Sequence, residues 1–130
     1  MTSLKIRRNR EWLRKRTQQG MRGYPIGTIA FYGPTDKLAT KLVVGVILKA
    51  DGEVEHLERW FSDGPDIRED VEVLDYAIAY LRKHEVRSVV LGERIMGCPH
   101  EEGIDYPAGE ECPECPFWIG RDRFTGEFVQ

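Results

Sequence analysis

All three cysteines of this chain, and one of its three histidines, lie within a stretch of eighteen residues. Cys98 and His100 are separated by one proline, and after eleven intervening residues Cys112 and Cys115 form a Cys-x-x-Cys pair. Such a pair can turn both sulfur atoms toward one ion, and zinc binds three thiolates and one imidazole tetrahedrally in closed structural sites. Soft ligands of this kind favour zinc over magnesium or calcium. The sequence therefore predicts a structural zinc site whose ligands are Cys98, His100, Cys112 and Cys115.

Other uses of these residues are open at this point. Cys112 and Cys115 alone could form a redox-active pair or a disulfide, although either leaves Cys98 and His100 unexplained. The run from His100 to Glu102 also resembles the His-x-Glu motif of the zinc nucleobase deaminases. This resemblance implies that His100 and the two later cysteines bind zinc while Glu102 moves protons. The loop between the motifs is shorter than in those enzymes, and Cys98 is available to fill the position of the catalytic water. We therefore expect binding rather than catalysis.

The basic residues are concentrated at the N-terminus. Residues 1–23 contain eight Lys or Arg and one acid, Glu11, for a net charge of +7. Residues 24–130 contain 11 basic and 21 acidic residues, for a net charge of −10. Like charges at such density repel one another, so we expect a partner that compensates them, either nucleic acid or an acidic protein surface. The remaining alternative is a solvated arm without a partner, since salt screens charges over about 8 Å. The predicted contact residues are Arg7, Arg8, Arg10, Arg14, Lys15 and Arg16.

This basic arm, residues 1–23, is predicted to contain a short helix from Asn9 to Gln19. Its few apolar residues, chiefly Trp12 and Leu13, offer a small docking stripe. A second candidate for nucleic-acid contact follows Cys115, where Trp118 and Phe124 could stack on bases. The simpler interpretation is that the apolar residues after Cys115 pack the zinc site onto the core.

The elements that must position the metal ligands follow from hydrophobic patterns. Residues 26–32, 42–48, 54–61 and 86–91 are rich in β-branched and aromatic residues and are predicted to be strands. The second is apolar on both faces, which is typical of a central strand. Asp51-Gly52 predicts a hairpin into the third strand, whose irregular alternation indicates a bulge or a frayed end.

One amphipathic helix is predicted between the third and fourth strands. Apolar residues recur there at intervals of four and three, which places them on one helical face. They are Ile67, Val71, Leu74, Ile78 and Leu81. Asp66 with Glu69 resembles a capping pair at its start. We expect Leu74 and Ile78 to pack against the sheet.

The predicted order β-β-β-α-β, over about residues 26–91, resembles the opening half of the ribonuclease H-like fold. This resemblance implies a mixed sheet whose fourth strand runs parallel to an earlier one. That family holds its catalytic metal with an acid in the middle of the first strand, whereas residues 26–32 contain no carboxylate. The resemblance therefore concerns topology alone, and nuclease activity is not predicted.

Composition excludes several classes of protein. The chain has 130 residues, 41% of them hydrophobic and 32% charged, which suits one packed domain with a charged surface. No apolar run approaches the length of about 20 residues that spans a bilayer, and the basic N-terminus has no apolar segment of a secretory signal behind it. Three clustered cysteines are not a secreted disulfide framework. We expect a cytoplasmic protein with no membrane partner.

The sequence thus predicts an α+β fold with a small mixed sheet. A single domain spans residues 24–130 and includes a zinc-binding tail, residues 97–130. The predicted function is that of a zinc-stabilised binding protein whose basic arm contacts nucleic acid or an acidic protein surface. The alternatives are a small metal-dependent hydrolase, nuclease- or deaminase-like, and a self-assembling structural protein in which the arm of one copy lies on the acidic body of another.

Overall fold

In a computed structural model of the protein, the described residues are 2–18, 22–122, 125 and 127–128. They form two α-helices, α1 (Thr2–Gln18) and α2 (Val71–Lys83), and four strands, β1 (Ile26–Tyr32), β2 (Lys41–Ile47), β3 (Val54–Phe61) and β4 (Ser88–Ile95). Single 3-10 turns lie at Ile67–Glu69 and Pro116–Trp118. The predicted α+β class is confirmed, as is the order β-β-β-α-β that follows the N-terminal helix.

The four strands form one mixed sheet in the order β3-β2-β1-β4. β2 pairs antiparallel with both β1 and β3, and it is the central strand that its apolar sequence predicted. Asp51, with φ of 59°, and Gly52 form the predicted turn between β2 and β3. The register of this pair shifts between Val46 and Ile47, which confirms the predicted irregularity. β4 lies parallel to β1 because α2 carries the chain across the sheet.

The core lies between the sheet and α2. From the sheet, Val44 and Val46 of β2 are fully buried, and from the helix so are Ile78 and Leu81. Gly27 of β1 lies directly beneath the helix, where an added Cβ would stand only 2.6 Å from Cδ2 of Leu81. The absence of a side chain at this position therefore lets α2 pack directly on β1.

The predicted helix starts later than the apolar spacing indicated. Ile67 is buried, but it belongs to the 3-10 turn, and α2 begins at Val71. The carboxylate of Asp70 accepts hydrogen bonds from the amides of Glu72 (3.0 Å) and Val73 (3.1 Å). These amides have no partner within the helix, so a side chain that satisfies both defines a strong helix start.

Two further details of the helix prediction are wrong. Leu74 is only half-buried, because the buried face of α2 is formed by Ala77, Ile78 and Leu81. Asp66 caps the 3-10 turn rather than the helix, through the amide of Arg68 (3.0 Å). The side chain of Arg68 also bonds this carboxylate and lowers the pKa of Asp66 to about 2. The carboxylate therefore stabilises the fold at neutral pH, and this contribution is lost as the pH falls from about 4 toward 2.

The basic arm forms a longer helix than predicted, and this helix packs on the rest of the protein. α1 begins at Thr2 rather than Asn9 and contacts both α2 and β4. Asn9 is buried, and its side-chain amide donates to Oδ1 of Asp75 in α2 (2.9 Å). Trp12 and Leu13 pack against the core beside it. Within the described residues, no helix combines the length and the apolar character needed to cross a membrane.

We predict that Leu81→Ala lowers the free energy of unfolding by about 2–5 kcal/mol, because it removes a fully buried side chain from beneath α2. Urea denaturation of the two proteins measures the difference. Tyr76→Ala is the matched control on the same helix, where the side chain is 60% exposed, and it should change stability by less than about 0.5 kcal/mol. Similar effects of the two substitutions would contradict the packing of α2 on β1.

Candidate metal centre

The chain reaches the first predicted ligand directly from the end of β4. The amide of Met96 donates to the carbonyl of Phe31 (2.7 Å), and the amide of Gly33 donates to the carbonyl of Gly97 (2.8 Å). These two bonds join the ends of β1 and β4. Gly97 has a φ of 137°, which is a backbone conformation that favours glycine. The turn places Cys98 at the edge of the core, where it is 3% exposed.

The four predicted ligands meet at one point. Nδ1 of His100 lies 3.2 Å from the sulfur of Cys98. The same nitrogen lies 3.4 Å and 3.5 Å from the sulfurs of Cys112 and Cys115. All four ligand atoms lie within 4.8 Å of one another. Neighbouring nitrogen and sulfur ligands of a tetrahedral zinc ion are separated by about 3.5 Å. The four side chains are therefore close enough to coordinate one metal ion.

Burial makes these thiols difficult to ionise on their own. Removal from solvent raises the pKa of Cys115 far above the ordinary range of a thiol, and it raises the pKa of Cys98 as well. Contacts with the other sulfur atoms raise the pKa of Cys115 further, since adjacent thiolates repel one another. A cation at the centre reverses both effects, because it attracts thiolates and replaces the lost solvation. Metal binding here would release protons, so the affinity for a metal would decrease as the pH falls.

Glu114 orients the imidazole, a role that the sequence analysis did not identify. Its carboxylate lies 3.1 Å from Nε2 of His100, on the opposite side of the ring from the three sulfurs. A metal-binding histidine usually donates its second N–H to such an acceptor, which fixes the tautomer and increases the basicity of the ligand nitrogen. The sequence contained one signal for this role. Glu114 lies between Cys112 and Cys115, so it is close to a histidine that meets this pair.

The first half of the site is fixed to the sheet by a buried lysine. Lys41, at the start of β2, is 4% exposed, and its ammonium group donates to the carbonyl of Pro99 (3.0 Å). Burial lowers the pKa of Lys41, and the nearby charge of Glu101 opposes this shift. Arg59 of β3 also pairs with Glu101 (3.0 Å). Two strands therefore hold the segment that follows Cys98.

The segment between the two pairs of ligands, residues 101–111, forms hydrogen bonds within itself. The amide of Gly103 donates to the carbonyl of Tyr106 (2.7 Å), and the amide of Glu101 donates to the carboxylate of Asp105 (2.8 Å). Tyr106 is 6% exposed and belongs to the core cluster. Its side chain therefore adds a contact between this loop and the core.

The deaminase-like alternative gains no support from this geometry. The sulfur of Cys98 lies within 4.8 Å of the other three ligand atoms, so it supplies the fourth ligand position that a catalytic water would need. Glu102, which would move protons, instead accepts a hydrogen bond from the amide of Gly109 (2.6 Å). Four protein ligands fill a tetrahedral site, whereas a catalytic zinc site keeps one position open.

Trp118 packs the second pair of ligands onto the core, in line with the simpler interpretation of the sequence. It is 8% exposed, and its indole N–H donates to the carbonyl of Gly33 (2.8 Å). This burial leaves no ring face for stacking on a base. Ile119 is 48% exposed and does not belong to the core cluster. Phe124, the other predicted stacking residue, lies outside the described residues.

The predicted partner-binding residues lie on α1 and are not equivalent. Five of them are exposed: Arg7, Arg8, Arg10, Arg14 and Lys15. Arg16 turns inward instead, and its guanidinium group lies 4.2 Å from the centre of the Trp12 ring. The structure therefore separates the six residues into an outward group and one inward member, and none of them lines the metal centre.

Comparisons of this chain with models of known protein families, with curated proteins and with solved structures found no match. The resemblance to the ribonuclease H-like fold therefore stays at the level of strand order.

We predict that Glu114→Gln weakens metal binding by about tenfold, because the amide cannot polarise the imidazole as a carboxylate does. Competition against a chromophoric chelator measures the affinity. Glu110→Gln is the matched control, since Glu110 lies four residues before Glu114 in the sequence and makes no described ion pair with His100. Equal affinities for the two variants would show that Glu114 does not support the ligand.

Proposed function

We propose that this protein is a zinc-stabilised binding protein whose N-terminal helix binds nucleic acid through its phosphates. The observation that carries the proposal is the orientation of α1. Asn9, Trp12 and Leu13 fix one face of the helix against the body, so the opposite face is held outward with its cations exposed.

The donor set supports zinc as the metal and a structural role for it. Three thiolates and one imidazole suit a soft, tetrahedral divalent ion, and hard cations prefer oxygen ligands. The four ligands leave no position for a substrate, which favours a binding protein over a hydrolase. Thiolate sites of this kind persist in a reducing compartment, which supports a cytoplasmic location.

In the part of the chain that the structure describes, the outward cations have almost no acidic partners. Arg14 pairs with Glu11 on the same helix. Arg7, Arg8, Arg10 and Lys15 form no ion pair with any acid in the described residues. The acidic body thus leaves the basic face of α1 uncompensated, and a polyanion can neutralise several of these charges at once. Because the helix is already folded and docked, little ordering would oppose binding.

The first test concerns the metal. We expect the purified protein to contain about one zinc ion per chain. Removing the ion with a chelator should loosen the tail from Gly97 onward while α2 and the sheet remain folded, since they share a core of their own. Hydrogen exchange followed by mass spectrometry would locate the change. A metal-free protein with a fully protected tail would contradict the structural role.

The second test concerns the helix. The triple variant Arg7→Gln, Arg8→Gln, Arg10→Gln removes three outward charges and keeps residues that favour helix. We expect weaker binding to oligonucleotides, and a plot of log K against log salt that is flatter by up to about 2–3 units. Fluorescence anisotropy at several salt concentrations measures both quantities.

The control for this test is a triple variant with the same loss of charge at exposed positions on the body: Lys37→Gln, Lys49→Gln and Lys83→Gln. It should leave the salt dependence nearly unchanged. If the two triple variants bind oligonucleotides equally, α1 is not the contact. A lower mass in solution for the helix variant alone would instead indicate self-assembly through α1.

A further inference from the structure

A cleft of about 450 Å³ lies where the last turn of α1 meets the end of α2 and the start of β4. Four arginines line it: Arg16, Arg22, Arg82 and Arg87. Glu85 is the single acid among the lining residues. The cleft lies at the end of the sheet where β1 and β4 begin, and the metal centre lies at the end where these strands finish. It is therefore separate from the metal centre and from the outward face of α1.

The fold brings these arginines together from distant parts of the sequence. Arg16 comes from α1 and Arg82 from the last turn of α2. The main-chain amide of Arg22 donates to Oγ of Ser88 (2.6 Å), and the amide of Arg87 donates to the carbonyl of Pro25 (2.8 Å). Both of these backbone positions are thus fixed next to the first residues of β1 and β4.

Within the described residues, the guanidinium groups in the cleft have no acidic partner, although that of Arg16 lies over the Trp12 ring. The Nε atom of Arg16 is buried and makes no hydrogen bond within the described residues. None of the four arginines forms an ion pair there, so Glu85 does not neutralise them. Burial lowers the pKa of Arg16, and the charge of Arg82 lowers it further. The cleft therefore contains a buried donor without an acceptor and holds like charges close together, which is unfavourable.

A feature of the scaffold offsets only part of this cost. The C-terminal carbonyl groups of α2 attract nearby cations, which favours Arg82 at this position. They do not supply an acceptor for Nε of Arg16, which remains without one. An anion with several oxygen atoms would accept a hydrogen bond from this nitrogen and offset the repulsion between the arginines.

We propose that the cleft binds a phosphate monoester. Arginine forms paired hydrogen bonds with phosphate oxygens, and several arginines can share the terminal oxygens of one group. A monoester carries between about one and a half and two negative charges at neutral pH, whereas each phosphate inside a nucleic-acid strand carries one. Several cations around a concave site match the higher charge of a phosphate monoester. A nucleic-acid strand, with one charge per phosphate, instead matches the convex face of α1. The volume of the cleft is in the range of small-molecule sites and exceeds what phosphate alone would fill.

Two sources can supply this group, a free nucleotide or the phosphorylated end of a strand. The zinc-loaded full chain is titrated calorimetrically with adenosine 5′-monophosphate and with adenosine. Oligonucleotides with and without a 5′-phosphate are compared in the same way. We expect binding of the monophosphate and none of adenosine. A preference for the phosphorylated oligonucleotide identifies a strand end as the source, and equal binding of the two oligonucleotides identifies the free nucleotide.

The variant Arg82→Gln with Arg87→Gln should weaken binding of the monophosphate by at least about tenfold, since it removes charged hydrogen bonds to the ligand. The matched control is Arg7→Gln with Arg8→Gln, which removes the same charge from the outward face of α1. It should leave monophosphate binding unchanged and weaken binding to long oligonucleotides. This contrast separates the cleft from the proposed nucleic-acid face, so either proposal can fail alone.

Stability without ligand distinguishes a binding site from a structural role. If the arginines serve the cleft, the Arg82→Gln, Arg87→Gln variant should melt at the same or a higher temperature than the original protein without ligand, because repulsion with Arg16 is relieved. It should also lose the stabilisation that the monophosphate gives to the original protein. A variant that binds the monophosphate as well as the original chain, or an original chain that does not bind it, would overturn the proposal.

Discussion

Three sulfur atoms that have been removed from water share one neighbour, Nδ1 of His100, and the tail of the protein is arranged around them. Without a cation the thiols resist ionisation, and ionised thiols at this spacing would repel one another. A cation would attract all three thiolates, so the closeness of the sulfur atoms would then favour metal binding. The chain segments on both sides of these sulfur atoms connect the site to the sheet. Cys98 follows the joined ends of β1 and β4, and Trp118 extends from the second pair of ligands back to the carbonyl of Gly33.

A few residues of α1 determine which face of this charged helix packs on the body and which face remains exposed. A helix with so many cations and so little apolar surface has no strong reason to pack on a protein. Asn9 and Trp12 supply the reason, one through a buried hydrogen bond to Asp75 and the other through contact with the core. Their docking turns Arg16 into the cleft and leaves Arg7 and its neighbours outward. One segment thus provides both a concave and a convex basic surface.

Features that depend on local sequence could be predicted well. The predicted bounds of β1 and β3 agree with the structure because turn residues delimit both strands. The spacing of Cys and His was enough to predict that the four ligands lie close together. Features that depend on tertiary packing could not. The cleft needs Arg16 and Arg82 to meet across two helices, and no local pattern encodes their distance. The helix start was missed for another reason, since Asp66 and Asp70 satisfy the same capping rule and only the structure shows which one caps α2.

The position of β3 in the sheet has a consequence for aggregation. β3 lies at an edge, so its outer backbone groups form no pairs in the described sheet and offer a template for another strand. Leu57 and Phe61 are exposed on this strand, which would strengthen such an association. Glu55 and Glu58 are exposed beside them, and two copies that paired edge to edge would bring these carboxylates close together. The mutual repulsion of these negative charges opposes fibre-like growth.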